Sequence, residues 1–105
     1  MADVTLEPGE TVVLDTLGDI GKGVGFAKGR VVLTTQRLLL RPDGFNLDNR
    51  PSDVALADVA SVEAFNILGF IPWGVTLRCR DGRVQKLRVM GRDRLVAAIR
   101  RGAGV

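Results

Sequence analysis

The chain has 105 residues, 46% hydrophobic and 26% charged, with one cysteine, no histidine and a formal net charge of +3 at pH 7. That composition excludes an internal disulfide, a histidine metal site and a histidine general base, and a free thiol fits a reducing cytoplasm. No apolar run reaches the roughly 18 residues a membrane-spanning helix needs, residues 1–10 (MADVTLEPGE) are acidic where an export signal is basic, and the length suits one domain over 1–105 with its core at about 9–101.

Glu7, Pro8 and Gly9 punctuate the start, and the β-branched run TVVLDTL predicts a first strand over 11–17. Residues 18–29 hold five glycines in twelve positions and read as a loop or a distorted, glycine-rich strand edge, the glycines supplying unusual backbone angles. RVVLT (30–34) and RLLLR (37–41) flank Thr35 and Gln36; a two-residue turn there pairs Leu33 with Leu38, Val31 with Leu40 and, on the other face, Val32 with Leu39. PDGFNLDNRPS (42–52) is turn chemistry. DVALADVASVEAF (53–65) fits a helix capped by Asp53 as well as two short strands broken near Ala57 and Asp58; the strands are the expectation.

Trp73, Val75, Leu77 and Cys79 alternate with polar residues, as do Leu87 and Val89 after the Asp81-Gly82 turn. A two-residue turn would put the two apolar sets on opposite faces. A three-residue turn, Arg80-Asp81-Gly82 with Gly82 left-handed, pairs Val75 with Leu87 and Trp73 with Val89, so the rings and aliphatics point inward together. In GRDRLVAAIRRG (91–102), Leu95, Ala98 and Ile99 form one stripe with Val96 beside it, Asp93 stands in the first turn, Arg100 and Arg101 in the last, and Gly102 is the expected stop. So short an amphipathic helix must dock on the sheet to be stable.

Seven short strands and a closing helix are the element order of the pleckstrin-homology superfold. GRVVLTTQRLLLRP resembles the signature of GRAM domains and related bacterial pleckstrin-homology-like domains, as do VALADVASVEAF, VTLRCRDGRVQKLRV and GRDRLVAAIRR in their order. The resemblance implies a mainly β (α+β) fold: a bent seven-stranded barrel or sandwich with one end plugged by the C-terminal helix. It implies binding or scaffolding without a cofactor, with lipid headgroups or proteins as partners.

Residues 1–77 carry 6 basic and 10 acidic side chains and residues 78–105 carry 9 and 2, so a net charge of −4 is followed by one of +7. Arg78, Arg80, Lys86 and Arg88, with Arg83 just after the turn, form a cationic patch on the outward face of the last hairpin; with no tyrosine and Trp73 inward, stacking platforms for nucleic acid are lacking. GKGVGFAKGR is neither a phosphate-binding P-loop nor a dinucleotide fingerprint. Lys22, Lys28 and Arg30 instead resemble the K-x(n)-K-x-R pattern by which some pleckstrin-homology domains hold phosphoinositide headgroups, with a shorter spacer. Scattered carboxylates and a cysteine without a histidine partner argue against catalysis.

In FNILGFIPWG (65–74), Phe65 and Ile67 end one strand and Trp73 opens the next, leaving Leu68, Gly69, Phe70, Ile71 and Pro72 as a connection rich in large apolar side chains. Such a loop is packed under another, joins two chains, or inserts shallowly into a membrane. The leading expectation is a non-catalytic protein-interaction module that self-associates through Leu68, Phe70, Ile71 and Pro72. The alternative is a peripheral module at the inner face of the membrane, binding anionic lipid.

Overall fold

The computed structural model describes residues 4–23, 25–43 and 50–105. Seven antiparallel strands form one sheet and a single helix closes the chain: β1 (Val12–Lys22), β2 (Gly25–Thr34), β3 (Arg37–Pro42), β4 (Ser52–Ala55), β5 (Val59–Ile67), β6 (Ile71–Cys79), β7 (Val84–Arg88) and α1 (Arg92–Ala103). The strand order is β4-β3-β2-β1-β7-β6-β5, so β4 and β5 are edges and the sheet is not closed. Residues 44–49 of the expected 42–52 loop lie outside the described residues.

The alternation in RVVLT and RLLLR sets the β2–β3 register: Val31↔Leu40, Val32↔Leu39 and Leu33↔Leu38, as the sequence requires. All six side chains are buried, and each adds about 1.5–3 kcal/mol to the apolar gain. Thr-Gln is an unusual turn pair, and Thr34 explains why it suffices. Its hydroxyl accepts hydrogen bonds from the Gln36 and Arg37 amides at 3.1 and 3.0 Å and donates to the buried Glu10 carboxylate.

Residues 53–65 form the two expected strands, interrupted by a single 3-10 turn over Leu56–Asp58. The β6–β7 hairpin has the three-residue turn: Gly82 takes φ 93° and Val75 pairs with Leu87. The helix lays Leu95, Val96 and Ile99 into the cluster built by Ile20, Val62 and Leu77.

Three expectations are corrected. Residues 18–22 and 25–29, read as a loop or a glycine-rich strand edge, belong to two long strands, β1 and β2, paired from Val12↔Thr34 to Lys22↔Gly25. Their paired glycines Gly18 and Gly29 are there for closeness rather than unusual angles, since a Cβ at Gly18 would lie 2.7 Å from the Arg88 carbonyl oxygen and one at Gly29 would lie 2.5 Å from that of Arg41. The helix runs through Gly102, packed on Leu56, and ends where Gly104 adopts the left-handed conformation at φ 73°. Finally, β5 and β6 extend to Ile67 and Ile71, which pair, so the connection is three residues rather than five.

Candidate binding surface

The β5–β6 connection is a tight turn in which the Phe70 amide donates to the Ile67 carbonyl at 3.2 Å. Its central residues, Leu68 and Gly69, sit at φ 53° and 82°. That turn twists with the strands it joins and throws its flanking side chains outward. Leu68 is 81% exposed and Phe70 72%, while Ile71 is half-buried and Pro72 exposed. Packing of Leu68 and Phe70 beneath another described segment is thereby excluded. A leucine in the left-handed region costs roughly 1–2 kcal/mol, and hydrophobic burial within the chain does not offset that cost.

Beside this hairpin lies a groove of about 290 Å³ whose apolar lining is Leu17, Trp73 and Met90. Trp73 has the inward parity of Val75, and its carbonyl accepts from the Val89 amide at 2.8 Å as the expected pairing demands. The residue is nevertheless 39% exposed, a correction to the expectation of a core tryptophan. The groove walls contributed by β1 and β2 include Gly18 and Gly29, which present no side chain to cover the indole.

The charges around the groove are mixed: Lys28 and Arg88 line it with Asp19 and Asp43. Arg88 Nε lies 3.3 Å from Asp19, close enough for an ion pair without hydrogen-bond alignment, and its guanidinium stacks 3.9 Å from the Phe26 ring centroid. Lys28 stands opposite Asp19 and Arg30 opposite Leu17, both on the outer face of the β1–β2 pair, whereas Lys22 has the opposite parity and donates to the Arg50 carbonyl at 2.9 Å. Arg30 makes a two-pronged contact with Asp15, whose carboxyl is held below its ordinary range by that hydrogen bonding. The three cations of the headgroup pattern are thus not gathered on one face.

The second basic set is on the outer face where expected, but its charges are dispersed among local partners. Arg78 bonds Glu63 at 2.9 Å, Arg80 donates to the Ala57 carbonyl at 3.1 Å, and Lys86 lies 5.6 Å from the Phe65 ring centroid. Among the described residues no cluster of three or more His, Cys, Asp or Glu could hold a metal. No helix among them is long and apolar enough to cross a membrane.

No family model and no curated protein matches the sequence. Solved structures do match the fold. The C-terminal domain of an unknown protein from Leishmania infantum aligns with a TM-score of 0.78 at 12% identity, over 93% of this chain and 88% of that one. The Vps36 N-terminal PH domain aligns with a TM-score of 0.76 at 20% identity, over 95% and 83%. The DH/PH domains of p115-RhoGEF give 0.71 at 13% identity, over 90% of this chain and 31% of that one. The fold is pleckstrin-homology-like.

Within this pleckstrin-homology-like frame, sequence reasoning found the hairpin tip but missed the groove beside it. Leu17 is 76% exposed and Met90 73%. A signal for Leu17 was present: it shares the outward parity of Asp15 and Asp19, an apolar side chain between two carboxylates on a solvent face. Met90 carries no such signal, because it follows β7 outside any periodic element.

Proposed function

We propose that this chain is a non-catalytic binding module of the pleckstrin-homology and GRAM type, and that its β5–β6 hairpin contacts a protein, with a second copy of the chain as the first candidate. The observation that carries the reading is the outward display of Leu68 and Phe70 beside a groove whose rim mixes two cations with two carboxylates. Exposed apolar surface of this kind is costly unless something covers it. A mixed-sign rim suits a protein surface, and an isologous contact in particular, because a two-fold axis brings a patch against its own image. An anionic bilayer instead favours a rim of one sign, and the local pairing of Arg30, Arg78 and Arg88 with carboxylates weakens that alternative.

The test is light scattering over a wide concentration range on the wild type and on Phe70→Asp. Mass that rises with concentration in the wild type and stays monomeric in the variant supports self-association; a constant monomer mass in both removes it. Sedimentation with phosphatidylserine vesicles and with phosphatidylcholine vesicles at low salt provides the other arm. Selective loss of phosphatidylserine binding in Phe70→Asp would replace the protein reading with a peripheral membrane module.

A further inference from the structure

The solvent-facing side of α1 borders a second groove, remote in sequence from the β5–β6 hairpin. Arg94, Ala97, Ala98 and Arg101 recur at helical spacing and form one stripe, next to the stripe that docks Leu95 and Ile99 into the core. The facing wall is the start of β1, where the register with β2 shifts between Val12 and Leu14. Val13 and Leu14 complete the lining of a groove of about 320 Å³ between strand and helix. Val13 is half-exposed, so the floor is apolar and open.

Arg94 and Arg101 leave the helix at positions seven residues apart, about 10 Å along its axis, and both line the groove. Among the described residues, neither has an ion-pair or hydrogen-bond partner, in contrast to Arg30, Arg37, Arg41, Arg78 and Arg88. The nearest helix acid, Asp93, is one residue outside the stripe and approaches Arg92 instead, at 3.7 Å.

We infer that this groove binds an extended acidic segment of a protein partner, in which one apolar side chain enters between Ala97 and Val13 and a carboxylate on either side meets Arg94 and Arg101. In an extended chain, side chains four residues apart share a face and stand about 13 Å apart, with a third midway between them. The matching pattern is acidic-x-apolar-x-acidic. The small excess over the spacing of the two helix positions is within reach of two flexible arginines, whose forked donors match carboxylates. A recessed floor favours a peptide over a bilayer, since a membrane surface meets protruding side chains rather than a groove between a strand and a helix.

The experiment pans a randomised displayed-peptide library on the full chain, with Arg94→Glu/Arg101→Glu as counter-target, and measures binding of selected peptides by fluorescence anisotropy. Enrichment of peptides with two acids flanking an apolar residue is expected, weakened by about tenfold or more in the double variant and by added salt. Ala97→Trp, which fills the groove without changing its charge, must weaken them as well, and circular dichroism melting shows that each variant is folded. Absence of enrichment, ligands without acidic bias, or binding indifferent to both kinds of substitution would overturn the inference. So would phosphatidylserine-vesicle sedimentation that depends on Arg94 and Arg101 when no peptide is enriched, which would assign the stripe to membrane. Phe70→Asp leaves peptide binding intact, so this site and the hairpin contact stand or fall separately.

Discussion

The buried carboxylate of Glu10 accepts hydrogen bonds from Nε and Nη2 of Arg37 at 2.8 and 3.0 Å, joining residues 27 positions apart. Arg37 also donates to the Thr5 carbonyl at 2.8 Å and approaches Asp53 at 3.1 Å, so one guanidinium clamps the N-terminal segment and β4 to the β2–β3 turn. Hydrogen bonds from Arg37 and then Thr34 hold the Glu10 carboxyl at about 2, against an ordinary 4.5, with burial opposing them. A carboxyl whose pKa is depressed on folding stabilises the fold above its unfolded value and loses that contribution as pH falls toward the folded one. The melting temperature of wild type should therefore exceed that of Glu10→Gln by its full margin above pH 4.5, and the margin should close between pH 4.5 and 2. A margin independent of pH across that window would show that the clamp does not depend on the charge.

The paired glycines of β1 and β2 give a second expectation. A Cβ at Gly29 would meet the Arg41 carbonyl oxygen at 2.5 Å and Pro42 Cα at 2.7 Å, both backbone atoms that cannot step aside without shifting β3. At Gly25, within the same strand, nothing lies within 4 Å and the backbone angle is ordinary. Gly29→Ala should cost about 1–3 kcal/mol through overpacking, whereas Gly25→Ala should gain about 0.5 kcal/mol by reducing the freedom of the unfolded chain. Urea unfolding of the two variants, read as ΔG in water, checks the pair; equal effects would mean that β3 yields to the added methyl.

These two cases also mark where sequence is legible. The pairing of Val31 with Leu40 and of Val75 with Leu87 could be read because a one-residue slip would reverse every apolar side chain in the strand, leaving one register acceptable. The Glu10–Arg37 clamp left no periodic trace, because it forms between a loop and a turn only after the sheet is assembled. Trp73 was misplaced for a related reason. Parity fixes which face of β6 its ring leaves from, but the glycines that leave it partly uncovered lie on β1 and β2, more than 40 residues earlier. The hairpin tip, by contrast, was visible as an apolar run, and the structure sharpened it from five candidate residues to a turn displaying Leu68 and Phe70.

Cys79 lies on the inward face of β6, 6% exposed, with its thiol pKa pushed up chiefly by burial and only partly offset by Arg83. The thiolate is the reactive form, so burial suppresses both access and nucleophilicity. Alkylation by iodoacetamide at pH 8 should be much slower in the native protein than in urea. Equal rates in the two conditions would mean that β6 opens readily at its Cys79 end.

The strained Leu68 allows stability and association to be separated. Relieving the left-handed leucine is worth roughly 1–2 kcal/mol, and glycine returns about 0.5–1 kcal/mol of that through its looser unfolded state. Leu68→Gly should therefore be as stable as wild type or more stable by up to about 1.5 kcal/mol, while losing an 81% exposed apolar side chain from the tip. If the hairpin is the self-association surface, this variant should remain monomeric at concentrations where wild type grows in mass, with an unchanged or raised melting temperature. A residue that lowers stability where it stands and is needed for contact has a place in the sequence that folding alone does not explain. Retained association in Leu68→Gly, measured by light scattering beside Phe70→Asp, would move the contact from the turn to Phe70 and the groove formed by Leu17, Trp73 and Met90.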